Sequence, residues 1–149
     1  MKLKTTAKKL KQGLQIVEGA LPTRTPIPAA THVKMSATGK SLTLTTTNLH
    51  TLIHYTFQVE GLTDGVAVVP AKRLLDFCKT LSDEEMELAR DGKYLVIRAG
   101  RARLELPTIA DNEFPAAPIT TGRVLHVKQN ELKEALRLTA FAAEQNTDR

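Results

Sequence analysis

His50 and His54 stand four residues apart, the spacing that stacks two ligands on one face of a helix and invites a metal ion. The residues between and beside them, Thr51, Leu52, Ile53 and Tyr55, favour extended backbone instead. On a strand rising about 3.3 Å per residue the two rings stand roughly 13 Å apart, too far to share an ion. Cys78 with a histidine would make a nucleophile and its base. It falls in phase with Leu74 and Leu81, however, on what reads as the buried side of a helix, where a thiol is structural. Asp83, Glu84, Glu85 and Glu87 cluster at the start of an alternating strand, a pattern whose default is a solvated face. The chain contains no glycine-rich phosphate loop and no serine elbow. No residue set can carry enzymatic chemistry, and neither a metal nor a cofactor is expected.

Two other features promise binding rather than catalysis. The first is cationic: the opening twenty residues hold five lysines against Glu18 alone, within a net charge of +5. Lys8, Lys11 and Arg24 belong to or follow a first helix, Lys72, Arg73 and Lys79 to a second, and Lys133 and Arg137 to a third. Helices with apolar backs and cationic fronts suit a polyanion. Few aromatics are available to stack on bases, so contact with nucleic acid should be to phosphates and independent of sequence. The second feature is the segment Gly100 to Pro107. Ala102, Leu104 and Leu106 share one side of a strand and Arg101, Arg103 and Glu105 the other, with Pro107 as a stop. This is how an exposed sheet edge is built, either protected or kept for one partner.

The elements that must position these residues are legible in outline. Leu3 to Thr5 form a strand, and Thr6 caps a helix with Ala7, Leu10, Leu14 and Val17 on one face. Gly19, Pro22, Pro26 and Pro28 end it and display Arg24 in a loop. Ala30 to Ser36, Leu42 to Thr47 and Leu49 to Glu60 read as strands, the first pair joined through Thr38-Gly39-Lys40. The strand Val66 to Val69 runs through Pro70 into a helix from Ala71 to Leu81 with Leu74, Leu75, Cys78 and Leu81 inward. Asp91-Gly92 turns the alternating Glu85–Leu88 segment into Tyr94 to Arg98. Pro107, Pro115 and Pro118 mark an extended linker that ends near Thr121, which predicts one domain over 1–121 and a second beginning at 122.

The chain has 149 residues, 42% of them apolar, enough for a real core. Its apolar runs are far too short for a membrane span, its N-terminus lacks a signal-peptide pattern, and its single cysteine excludes an internal disulfide. A cytoplasmic location without membrane contact is expected. Residues 122–149 also echo the start: Leu3, Leu10, Lys11, Leu14, Ala20 and Thr25 match Leu125, Leu132, Lys133, Leu136, Ala142 and Thr147 at one constant offset.

These residues together resemble the bacterial DNA polymerase III beta subunit family, the replicative sliding clamps. The likeness runs through the opening strand and helix, Arg24, Leu42-Thr43-Leu44-Thr45, Asn48-Leu49 and Val69-Pro70-Ala71-Lys72 with Asp76 and Cys78. It continues through Gly100-Arg101-Ala102-Arg103 with Leu104 and Leu106, and Phe114-Pro115. It implies an α+β DNA-clamp (processivity) fold, two helices packed on antiparallel β-sheets. In the family that domain is repeated three times per subunit, and two subunits close head to tail as a homodimeric ring around duplex DNA.

The resemblance also implies roles. Arg24, Lys8, Lys11, Lys72, Arg73, Lys79 and Arg137 would face DNA, with Asn146 in the matching loop of the second domain. Arg73, Phe77, Arg101, Arg103, Leu104 and Leu106 would form the first-domain half of the subunit joint. The action implied is topological and non-catalytic: a ring holds the polymerase to its template. Asn48 departs from the family's usual aspartate, and the positive charge departs from the acidity of whole clamps. The resemblance further implies that these residues stop early in the second domain, short of the pocket where polymerase and clamp-loader clients dock. An alternative expectation is a stand-alone module whose edge strand caps or antagonises a full-length clamp.

Overall fold

The structure is a computed structural model and describes residues 1–116 and 126–143. Its contacts divide it into two units, Met1–Pro118 and Ile119–Arg149, each taken by itself below. The first unit opens with β1 (Lys2–Thr6), α1 (Ala7–Val17), β2 (His32–Thr38), β3 (Ser41–Thr47) and β4 (Leu52–Gln58). After the short β5 (Glu60–Thr63) it continues with β6 (Gly65–Pro70), α2 (Ala71–Thr80), β7 (Glu85–Asp91), β8 (Tyr94–Ala99) and β9 (Ala102–Pro107).

All pairings are antiparallel, in a five-stranded sheet ordered β5-β1-β7-β8-β9 and a four-stranded sheet ordered β4-β3-β2-β6. Strand, helix and three-stranded meander thus occur twice, and the two halves exchange their first strands. β1 joins the meander of the second half through β7, and β6 joins that of the first half through β2. Even the connections match: beyond β4 the chain crosses to pair with β1 as β5, and beyond β9 it crosses to pair Ile109 with Val68 of β6. The sequence carries a trace of this in Ala7-Lys8-Lys9-Leu10 and Ala71-Lys72-Arg73-Leu74, at the same place in each helix.

Alternation in the strands and the helical period together build one core. Leu3, Met86, Leu88, Leu95, Ile97 and Leu106 from one sheet join Val33, Met35, Leu42, Leu44 and Val69 from the other and Leu10, Leu14, Leu74 and Cys78 from the helices. Each such leucine or isoleucine contributes about 1.5–3 kcal/mol on burial. Gly13 lets α1 approach its sheet, since a Cβ there would sit 2.9 Å from Leu44 Cδ1 and 3.1 Å from Tyr55 Cδ1. Three tight hairpins share a recipe of glycine followed by a cation: Gly39-Lys40, Gly92-Lys93 and Gly100-Arg101, with φ of 56°, 54° and 53° at the glycines.

The strand expected over 49–60 is three pieces. Asn48 Oδ1 accepts the N–H groups of His50 (3.1 Å) and Thr51 (2.6 Å), making a turn in which Leu49 adopts φ 77°. An amide oxygen performs this as an aspartate would, which accounts for the departure at Asn48. At the other end Val59 turns inward and gives its N–H to the Lys40 carbonyl at 2.9 Å, which breaks β4 from β5. Further small differences are local. The strand expected from Ala30 starts at His32 because Pro28–Thr31 form a 3-10 turn, and α2 stops at Thr80 rather than Leu81.

In the second unit, α3 spans Gln129–Thr139. Leu132, Leu136, Leu138 and Phe141 are exposed. The linker expected at Thr120-Thr121-Gly122 lies outside the described residues, as do Leu125 and Thr147 of the repeat. Among the described residues no helix is long and apolar enough to cross a membrane.

Candidate nucleic-acid face and strand edge

Thr6 ends β1 and caps α1, its Oγ1 accepting the Lys9 N–H at 3.3 Å. The apolar face of α1 is Ala7, Leu10, Leu14 and Val17, which leaves Lys8, Lys9, Gln12 and Gln15 exposed. In α2 Ala71, Leu74, Leu75 and Cys78 are buried, and Lys72, Arg73, Asp76 and Lys79 are exposed. Lys79 meets Asp76 at 3.7 Å, a solvated pair worth little. α1 and α2 pack on one another, so these cations stand on a single two-helix layer. Lys9 was not singled out by periodicity, yet it occupies the place in α1 that Arg73 holds in α2; the repeated tetrapeptide was the available signal.

Lys11 departs from expectation. It is half-buried rather than facing water, and with Lys8, Cys78 and Asp83 it lines a hollow of about 240 Å³ where the helices meet. Burial pushes the Cys78 thiol up to about 12, against a smaller opposing pull from Lys11. A thiol so held stays protonated at neutral pH and is a core group. Arg24 is exposed in the loop after α1, where Thr25 Oγ1 accepts the Ile27 N–H at 3.1 Å. Arg137 is exposed on α3 and bonded to Glu134 at 2.9 Å, within the other unit. Asn146 lies outside the described residues. The histidines are separate features: His50 is in the β3–β4 turn, and His54 Nδ1 lies 2.8 Å from Thr45 Oγ1 across the strand pair.

β9 is the last strand of its sheet. Thr108 N–H bonds to the Lys93 carbonyl at 2.8 Å and Ile109 N–H to the Val68 carbonyl at 3.1 Å, which sets the backbone phase. Even-numbered residues of β9 face β8, and Arg103 and Glu105 present their N–H and C=O groups to the free side. Leu104 on β9 is half-buried and packed against the core, and so is Phe77 on α2.

Leu106 requires a correction as a joint residue. It is 1% exposed, because its inward phase places it in the core beside Leu95, so its side chain has no surface to offer. Arg101 also sits in the Gly100-Arg101 turn rather than within the strand. On the outer face Lys4, Glu87, Arg98 and Arg103 align across four strands. Lys2–Glu87 (3.2 Å) and Lys4–Glu85 (3.6 Å) are ion pairs, and Arg103 bonds Glu105 along its own strand. Glu85 and Glu87 of the acidic cluster are therefore matched by lysines of β1 across the sheet face.

The arrangement offers a cationic two-helix layer and an open sheet edge. Comparison with known proteins finds the same assembly of elements. The model of the DNA polymerase III beta subunit N-terminal domain matches residues 1–118. The beta sliding clamp of Pseudomonas putida is 32% identical over 135 residues, covering 89% of this chain and 37% of that protein. That of Vibrio harveyi is 28% identical over 132 residues, covering 87% of this chain and 91% of the relative's sequence. Among solved structures, the DNA polymerase III subunit beta of Pseudomonas aeruginosa bound to griselimycin superposes with a TM-score of 0.91 at 29% identity. It covers 99% of this chain and 41% of that one. The Caulobacter crescentus pol III beta gives 0.88 at 29%, over 99% and 40%. The present chain thus spans about two fifths of the length of most of these relatives. On these matches and on its fold, the chain belongs to the DNA polymerase III beta subunit family.

Proposed function

We propose that these residues supply the first domain, and the opening of the second, of a sliding clamp that encircles duplex DNA and tethers a replicative polymerase. The observation that carries this reading is the matched cation set: Lys8 and Lys9 on α1 and Lys72 and Arg73 on α2 occupy equivalent places on one helical layer. A surface built that way meets a regular polyanion at the phosphates and reads no bases. Arg24 and Lys79 extend the layer, and Arg137 and Asn146 belong to its counterpart in the second domain. The free edge of β9, with Arg101, Arg103 and Leu104 along it, supplies half of a ring joint, to which Arg73 and Phe77 of α2 would contribute. A strand of a neighbouring domain would complete it by pairing with Arg103 and Glu105. The contribution is mechanical: the chain holds DNA without making or breaking a bond.

Fluorescence anisotropy with labelled duplexes tests the DNA-facing part. These residues alone should bind weakly, with Kd of about 10⁻⁴ to 10⁻⁶ M at physiological salt, without sequence preference and with a steep loss as salt rises. Affinity indifferent to salt would remove the electrostatic basis of the proposal.

A further inference from the structure

We propose that Asp76 and Asp83 hold down the DNA affinity of the helical layer, keeping its grip weak enough for a closed ring to move along the duplex. This role rests on the clamp reading above. α1 carries Lys8, Lys9 and Lys11 and no acidic residue, whereas α2 carries Lys72, Arg73 and Lys79 with Asp76 as its one carboxylate. Residues three and four apart are neighbours on a helix surface, so Asp76 borders all three cations of α2. Its carboxylate lies 3.7 Å from Lys79 Nζ. Asp83 does for α1 what Asp76 does for α2. It is exposed in the connection after α2 and shares the hollow of Lys8 and Lys11. Each helix of the layer thus has one carboxylate set among its cations.

The fold has little use for either carboxylate. A solvated pair such as Asp76–Lys79 adds little stability, and aspartate is a poor helix former. Among the described residues Asp83 makes no hydrogen bond or ion pair through its side chain. What both oppose is the approach of phosphates. Lys79 must leave Asp76 before it can neutralise one, and Lys8 and Lys11 meet a phosphate only against the field of Asp83. A closed ring is held on DNA by its topology, so contact energy beyond what centres the duplex only slows its movement.

Anisotropy titrations of the full chain with a labelled duplex, at several salt concentrations, provide the test. Asp76→Asn and Asp83→Asn keep the side-chain size and remove the charge. Each should tighten Kd by about threefold or more and steepen the fall of log K with log salt by up to about one phosphate contact. Asp91→Asn is the control, because it makes the same change in net charge at the β7–β8 hairpin, on the outer sheet face beside Glu87 and Arg98. Asparagine before Gly92 suits that turn. Screening should keep its effect on Kd within about twofold. Melting temperatures of the two test variants should stay within about 2 °C of the parent. Salt-steep binding by the parent, with both test variants no tighter than Asp91→Asn, overturns this role and leaves the clamp reading standing. Loss of stability in place of tighter binding assigns the carboxylates to the fold and overturns it as well. Absence of salt-dependent binding by the parent removes both the role and the reading beneath it.

Discussion

The Thr46 hydroxyl donates to the backbone carbonyl of Val17, tying the end of β3 to the last turn of α1. Both residues are almost fully buried, and a carbonyl in the last turn of a helix has no partner within the helix. Thr46→Val keeps the shape and removes the donor, leaving that carbonyl unsatisfied. We expect a loss of about 1–3 kcal/mol in denaturant unfolding, with the slope m unchanged. A loss below a few tenths would mean that the bond does not hold α1 in place.

Gly13 is where α1 comes closest to its sheet. A Cβ would press on Leu44 at 2.9 Å, Tyr55 at 3.1 Å and Phe57 at 3.2 Å. Gly13→Ala sets a helix-propensity gain of about 1 kcal/mol against a small displacement of those side chains, so near-neutral stability is expected. Gly13→Leu has no room and should cost more than 3 kcal/mol by thermal or chemical unfolding. Tolerance of leucine would show that α1 is less tightly seated.

Cys78 titrates against the fold. Its thiol is raised from an unfolded value of 9.0 to about 12, so the folded state holds its proton longer. The resulting stability is complete below about pH 9, falls as the unfolded thiol ionises, and is gone by about pH 12. Relative to Cys78→Ala, the parent should therefore lose stability more steeply between pH 9 and 11. At pH 7.5 iodoacetamide should label Cys78 only on unfolding, as read by mass spectrometry. Rapid labelling of the native chain would contradict its burial.

Lys8 and Lys72 hold the same place in the two halves of the domain. If both meet phosphates, Lys8→Glu and Lys72→Glu should weaken DNA binding to a similar extent. Neutralising either should lower the slope of log K against log salt by about one phosphate contact. Anisotropy titrations at several salt concentrations measure both effects. A loss confined to one of the two would break the proposed equivalence.

Much of this fold is readable locally. The cap at Thr6, the three- and four-residue spacing of Leu10, Leu14 and Val17, the hairpin at Gly92 and the alternation of Leu104 with Arg103 and Glu105 all lie within short windows. In each, the backbone period alone decides which side chains share a face. Features set by a distant residue are not legible in such windows. Periodicity puts Lys11 in water because it cannot see that α2 and the connection after it bring Cys78 and Asp83 to the same hollow. The stretch 49–60 reads as one strand because the break at Val59 is made by a bond to Lys40, and the turn at 48–51 by the side chain of Asn48. Leu106 belongs to an edge strand in sequence and to the core in space.

The sequence by itself determined the helices, the hairpins, the cationic fronts and the amphipathic edge, together with the family resemblance that their motifs carry. Only the tertiary structure decided that β1 completes the second meander and β6 the first, and so that the domain is two matched halves with Lys8 set against Lys72 and Lys9 against Arg73. The reason is physical. Local period is fixed by the geometry of one backbone segment, whereas the exchange of first strands follows from burying two sheets and two helices in one core. That choice depends on the summed apolar area of residues far apart in the chain.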